Sequence, residues 1–241
     1  MGIKKISKSI IAKIVGRQGY DLVNKLEFEK LKGKQAFNKY IENQKYLEES
    51  EFRYILWLDR VYQKIIQVPG DIIELGVAYG RNAIIFSNLI KMNGDDLVRR
   101  YYGFDTFKGY TEETLKTDKH LGKDSWKENS KDYVWDKIVR LGHKEICNLV
   151  EGDIVIEVPK FIEQKPNLKI ALLYVDCNGY MPAIKGMEYF KHLMMPGGII
   201  CIDEKHSGGE TKALLEFCKK ENLILLKDSS AFSIPAYTVI K

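Results

Sequence analysis

In the stretch Asp71–Gly80, DIIELGVAYG, four residues with the character of a buried strand run into a loop that opens at Gly76. Gly80 then starts an apolar helical pattern, Ala83-Ile84-Ile85-Phe86 and on to Leu89-Ile90. Strand, glycine loop and helix N-terminus in that order bring backbone N–H groups within close reach of a ligand. The glycines at 76 and 80 fall short of the fuller G-x-G-x-x-G spacing used for dinucleotides. Glu74, just ahead of the turn, sets a negative charge where a pyrophosphate would lie. An acid followed by a two-glycine loop suits a ligand with a positive end and hydroxyls, which favours S-adenosylmethionine over NAD. A plain structural turn carries the same pattern, so the later strands decide between the two.

Those strands follow at regular intervals. A helix over 81–92 closes at Asn93-Gly94, and Tyr101–Asp105 reads as a second strand ending on an acid. Ile146–Val150 reads as strand three, Ile170–Val175 as an apolar central strand, and Ile199–Ile202 as strand five after a tight turn at Pro196-Gly197-Gly198. Helices over 182–193 and 209–221 separate them. Leu223–Leu226 and Ala236–Ile240 close the chain as a hairpin. Five β-then-α steps with such a finish predict an α/β fold. The expected architecture is a class I methyltransferase Rossmann-like sheet, mostly parallel, with an antiparallel C-terminal hairpin.

Residues 1–67 read as an N-terminal helical extension that caps the sheet, and 68–241 as the cofactor-binding domain. The clearest helix of the extension is Glu51–Gln67, with Phe52, Ile55, Leu56, Val61, Tyr62, Ile65 and Ile66 as its apolar stripe. The net charge of +5 resides in Met1–Arg17, whose five bases have no acid among them, and the remaining residues balance. That distribution argues against a nucleic-acid partner. The same segment lacks an apolar run long enough for a signal peptide or a membrane span. It reads as a helix packed on its own domain or on a second copy of the chain, with weak contact to a membrane surface as the other option. Cys147, Cys177, Cys201 and Cys218 form no metal-binding spacing and read as reduced thiols of a cytoplasmic protein. Residues 108–142 are strongly polar, a solvated loop or a lid in which Trp126 and His120 could touch a substrate.

Ligands of an open parallel sheet bind beyond the carboxyl ends of its strands. Glu74, Asp105, Asp153, Asp176, Asp203 and Glu204 all fall at or just past such ends. Asp105 is placed to accept from ribose hydroxyls, and Asp153 from an adenine amino group. Neighbouring strands lie about 4.8 Å apart, so Asp176, Asp203 and Glu204 converge on one ion if strands four and five are adjacent. Carboxylates without cysteine suit a hard cation, Mg²⁺ before Ca²⁺ or Mn²⁺. One or two of these acids could instead cap the following helices. His206, three residues beyond Asp203, is the candidate general base, since an aliphatic hydroxyl keeps its proton near neutral pH.

Gly70–Gly80, GFDTFKG at 103–109, Val150–Asp153, Asp176–Pro182 and Pro196–His206 together resemble the macrocin O-methyltransferase family. The resemblance covers roughly residues 70–210. It implies an S-adenosylmethionine- and metal-dependent enzyme that methylates sugar hydroxyls of a glycan, nucleotide sugar or glycosylated natural product. On that resemblance the cofactor falls to Glu74, Gly76, Gly80, Asp105, Thr106 and Asp153, and the metal to Asp176, Asp203 and Glu204. Catalysis falls to His206, Asp176 and Asn178. Asn178 stands where the family has a second aspartate, and asparagine ligates a cation but takes no proton. The base then sits at His206, the acceptor differs, or the chain is a binding protein that keeps the fold without turnover. A methyltransferase acting on another small-molecule hydroxyl or amine is the remaining alternative.

Overall fold

The structure, a computed structural model, describes residues 49–203, 208–227 and 236–241. The chain divides into two compact units, Met1–Phe52 and Arg53–Lys241. The sheet, the helical residues packed on it from Arg53 onward and both cavities below belong to the second. The expectations for segment 1–17, for the helical region before residue 49, and for Glu204 and His206 lie outside the described residues.

The described elements in chain order are α1 (Glu49–Ile65), β1 (Asp71–Leu75), α2 (Arg81–Met92), β2 (Tyr101–Asp105), α3 (Glu112–Thr117), α4 (Lys131–Arg140) and β3 (Cys147–Glu151). There follow α5 (Ile154–Gln164), β4 (Ile170–Val175), α6 (Tyr180–Phe190), β5 (Met194–Ile202), α7 (Gly209–Lys220), β6 (Leu226–Lys227) and β7 (Ala236–Val239). The strands form one sheet in the order β3-β2-β1-β4-β5-β7-β6. β1 to β5 are parallel, while β7 runs antiparallel to both β5 and β6. The chain leaves β1 toward β2 and β3, then crosses back to β4 on the other side of β1. That reversal opens a crevice beyond the carboxyl ends of β1 and β4.

Strand parity sorts the core into two layers. Ile72, Tyr101, Leu172, Tyr174, Ile199 and Cys201 face one side, packed with the buried residues of α1, α2 and α4. Ile73, Leu75, Phe104, Leu173, Val175, Ile200 and Ile202 face the other, against α5, α6 and α7. The buried stripe of α1 is Tyr54, Trp57, Leu58, Val61, Tyr62 and Ile65. Phe52, Ile55 and Leu56, expected in that stripe, are exposed. The observed stripe keeps three- and four-residue spacing throughout and carries the larger aromatic rings, so its burial removes more apolar surface from water.

Pro196-Gly197-Gly198 is not a turn ahead of β5 but an irregularity inside it. Ile170 pairs with Met194 and Leu172 with Ile199, so β5 spends extra residues there. Gly197 takes a left-handed conformation, and its N–H reaches the Ile240 carbonyl at 2.8 Å. A bulge of this kind bends the strand and lets it meet the C-terminal strand. Residues 108–130 carry α3, which is capped at its start by Thr111. The buried Asp118 then receives the N–H of Tyr180, at the start of α6, at 3.0 Å. That polar segment is therefore anchored to the sheet layers at its middle.

Candidate functional site

The loop between β1 and α2 has almost no room. Gly76 has φ of +93°, and a Cβ there would stand 2.0 Å from the Asp176 carbonyl oxygen. Only glycine brings β1 and β4 together at this point. Ala78 is also left-handed, with φ of 46°. The N–H groups of Val77 and Ala78 both donate to Asp105 Oδ2 at 2.8 Å, and Phe107 N–H donates to Asp105 Oδ1 at 2.6 Å. Asp105 thus clamps the loop to the end of β2. A carboxylate has about four lone-pair sites, so it keeps capacity for a ligand donor.

Two cavities open around this loop. The smaller, about 120 Å³, is walled by Gly76, Ala78, Asp105, Thr106, Asp153, Ile154, Asp176, Cys177 and Asn178. The anchored polar segment closes it with Tyr110, Thr111, Thr114 and Trp126. The larger, about 660 Å³, lies beside Tyr54, Tyr79, Arg81, Asn82, Asp176, Asn178 and Asp203. Ala78, Trp126, Asp176 and Asn178 line both. The two spaces therefore meet along a shared wall at the mouth of the β1/β4 crevice.

Of the residues expected at the site, Gly76, Asp105, Thr106, Asp153, Asp176 and Asn178 come together in the smaller cavity, and Asp176, Asn178 and Asp203 in the larger. Asp153 also caps α5, accepting from Val155 N–H at 2.9 Å. Thr106 uses its hydroxyl to donate to the Gly109 carbonyl at 2.5 Å, which tightens the GFDTFKG turn. Glu74 and Gly80 line neither space. Gly80 is the left-handed residue before α2, and a Cβ on it would meet Val134. Trp126 is in the wall, whereas His120 is exposed and lines neither cavity.

Strand parity explains Glu74. It shares a face with Ile72, so its side chain enters the α1/α2 layer instead of the crevice, and it is fully buried. There it accepts from Asn82 Nδ2 at 2.7 Å and from the Tyr101 hydroxyl. Burial pushes its carboxyl up to about 8, against which the Tyr101 and Asn82 hydrogen bonds pull down. At neutral pH it is largely a neutral acid.

Asp176 and Asp203 follow directly on Val175 and Ile202, which pair in register on β4 and β5. Burial, then the charge of Asp203, raises the Asp176 carboxyl well above the usual carboxylate range, with Glu210 and Glu74 adding to the effect. The Asn82 amide, 3.1 Å from Asp176 Oδ2, works the other way. Two acids held so close are stabilised by a proton or by a cation between them. An all-oxygen pair of this kind fits a hard divalent ion. Among the described residues no group of three or more His, Cys, Asp or Glu side chains is arranged to hold a metal. Glu204, the third expected ligand, lies outside them. Asn178 takes a left-handed conformation with φ of 59°, and its N–H donates to Glu210.

Tyr54, Tyr79, Arg81, Asn82 and the Tyr110–Thr114 wall had no motif to mark them. The one cue in the sequence was proximity of Tyr79, Arg81 and Asn82 to the glycine loop. The Arg81 guanidinium lies 3.7 Å from the Tyr54 ring centroid. Tyr79 and Trp126 form a tilted aromatic pair, centroids 5.7 Å apart. All four cysteines are free thiols and buried. Among the described residues no helix is long and apolar enough to cross a membrane.

A family model described as a methyltransferase domain matches residues 73–205. Among curated proteins none matches the chain significantly. The fold is similar to that of CalS11, a calicheamicin methyltransferase, with a TM-score of 0.72 and 21% identity over 99% of this chain and 98% of that one. It is similar also to the O-methyltransferase NovP, with a TM-score of 0.67 and 18% identity over 78% and 79% of the two chains. An O-methyltransferase from Bacillus cereus shares the fold at a TM-score of 0.53 and 10% identity, over 97% and 96%.

Proposed function

This chain belongs to the methyltransferase-domain family and is an S-adenosylmethionine-dependent methyltransferase; we propose that its acceptor is a sugar hydroxyl of a small molecule or glycan. The proposal rests on the shared wall, where the crevice lined by Asp105 and Asp153 and the larger space beside Tyr79 and Asp203 meet at Asp176 and Asn178. S-adenosylmethionine, when bound, would supply a methyl carbon that a hydroxyl oxygen attacks, the C–S bond breaking to release the neutral thioether S-adenosylhomocysteine and the hydroxyl proton passing to a base. Asp105, with Thr106 beside it, would take the ribose hydroxyls, and Asp153 the adenine end. These are donors to carboxylate oxygens that retain spare lone pairs.

On the acceptor side Tyr79 and Trp126 present half-exposed ring faces while Asp176 and Asp203 present carboxylates. A pyranose has both complements, an apolar C–H face and a hydroxyl edge. CalS11, whose fold is similar, is a TDP-rhamnose 3′-O-methyltransferase of calicheamicin biosynthesis, which supports a sugar acceptor here by analogy of fold alone. Asp176 and Asp203, with Glu204, are the residues that would hold Mg²⁺. In that position the ion would acidify an acceptor hydroxyl. His206 is assigned the base by its place in the sequence after Asp203, since Asn178 takes no proton. Aligning the two reacting atoms at the shared wall supplies much of the rate.

The test is transfer of label from methyl-tritiated S-adenosylmethionine to TDP-sugars and simple glycosides. Label on a sugar hydroxyl is expected, lost in Asp203→Asn while cofactor binding persists. Label on an amine, or on no hydroxyl acceptor of the panel, would sink the sugar assignment.

A further inference from the structure

We infer that Asn82 and Tyr174 are positioning residues that hold Asp176 and Asp203 as one pair of cation-facing carboxylates, an inference that rests on the methyl-transfer reading above. Both lie in the layer between the sheet and α1/α2. Asn82 is the second residue of α2 and is 4% exposed. Its Nδ2 donates to Glu74 Oε1 at 2.7 Å and to Asp176 Oδ2 at 3.1 Å, and its Oδ1 accepts from the Tyr54 hydroxyl at 2.6 Å. Two carboxyl neighbours need donors and one hydroxyl needs an acceptor, so a single orientation of the amide satisfies all three. Every hydrogen-bonding atom of the side-chain amide is then used.

Tyr174 does the corresponding work for Asp203. Its hydroxyl, reached from β4 in the same layer, donates to Asp203 Oδ1 at 3.1 Å. Tyr54 donates to Asn82 and Tyr174 to Asp203, and a longer hydroxyl–hydroxyl hydrogen bond of 3.4 Å between Tyr54 and Tyr174 joins the two branches. Each acid thus has one oxygen tied from below, which fixes the direction in which the carboxylate faces the larger cavity. Outer partners of this kind set the rotamer of a ligating carboxylate, and their loss typically lowers metal affinity about 10–100-fold.

Tyr174→Phe removes one O–H and keeps the ring, so it separates positioning from packing. The measurement is calorimetric titration of Mg²⁺ into protein saturated with S-adenosylhomocysteine, with the affinity of S-adenosylhomocysteine and the Tm recorded for the same samples. For Tyr174→Phe we expect Mg²⁺ affinity about 10-fold or more weaker, S-adenosylhomocysteine affinity within about twofold, and Tm within a few degrees. Asn82→Ala should weaken Mg²⁺ similarly; if it fails to fold, Tyr174→Phe alone carries the test. Mg²⁺ affinity unchanged in Tyr174→Phe overturns the inference. Wild-type protein that binds S-adenosylhomocysteine and no Mg²⁺ overturns it too, leaving the methyltransferase reading intact. Wild-type protein that binds neither overturns both.

Discussion

Replacing Glu74 by Gln should flatten the protein's loss of stability in alkali. The carboxyl is fully buried between Asn82 and Tyr101, and glutamine has the size and neutrality of its protonated form. Burial raises this acid from 4.5 to about 8. A group whose pKa is raised in the folded state lends stability that is complete below the unfolded value and is lost as pH climbs through the folded value. At about 1.4 kcal/mol for each pH decade between 4.5 and 8, the share riding on Glu74 is roughly 5 kcal/mol. For a chain of this length that converts to a Tm change of roughly 10–20 °C. Asp71 is raised as well, but it is present in both proteins and cancels in the comparison. Asp176 is raised in part by Glu74, so its carboxyl moves back toward the usual range in the variant, which adds to the same difference. The assay is thermal unfolding by circular dichroism from pH 5 to pH 9. The wild-type Tm should fall steeply relative to Glu74→Gln across that window, with the variant the more stable protein at pH 9. Parallel Tm curves for the two proteins would refute the placement of Glu74 as a buried neutral acid.

Two further substitutions probe the loop. Gly76→Ala forces a side chain onto a φ of +93° and into the Asp176 carbonyl; a cost of about 2 kcal/mol or more is expected, seen as a lower Tm and abolished S-adenosylmethionine binding by calorimetry. Asp105→Ala strips acceptors from the N–H groups of Val77, Ala78 and Phe107. At about 1.5–3 kcal/mol for a hydrogen bond to a charged group, it should lower the midpoint of urea unfolding clearly and weaken S-adenosylmethionine more than about tenfold; an unchanged affinity would take Asp105 out of the cofactor site.

Much of the scaffold is legible in the chain because its strands are short, apolar and separated by turn residues. Helix 81–92 and strands 101–105 and 170–175 fall where their patterns place them. α5 is harder to see, because Pro159 lies inside it and argues against a helix. The acids at strand ends do gather at the crevice, where Asp105, Asp153, Asp176 and Asp203 all line a cavity. Glu74 is the exception, and the reason is parity. The carboxylate lies one residue before the strand end, on the face of Ile72, so it turns into the layer of α1 and α2. Asp105 likewise does more than its position announces, because three loop N–H groups converge on it only once β1 and β2 are paired. Asn82 and Tyr174 have no motif at all. Their contacts arise from five elements, α1, α2, β1, β4 and β5, meeting in one buried layer, and spacing along one chain does not encode that meeting. The polar stretch 108–130 could be read as a loop, but its anchoring through Asp118 to the start of α6 depends on a partner 62 residues away.

The crevice at the end of β1 is expected to take S-adenosylmethionine and not a dinucleotide. Calorimetric titration of the full chain with S-adenosylmethionine, and in parallel with NAD, tests it most directly. Saturable one-to-one binding of the methyl donor and no heat from NAD are expected. Binding of NAD, or binding of neither, would contradict it.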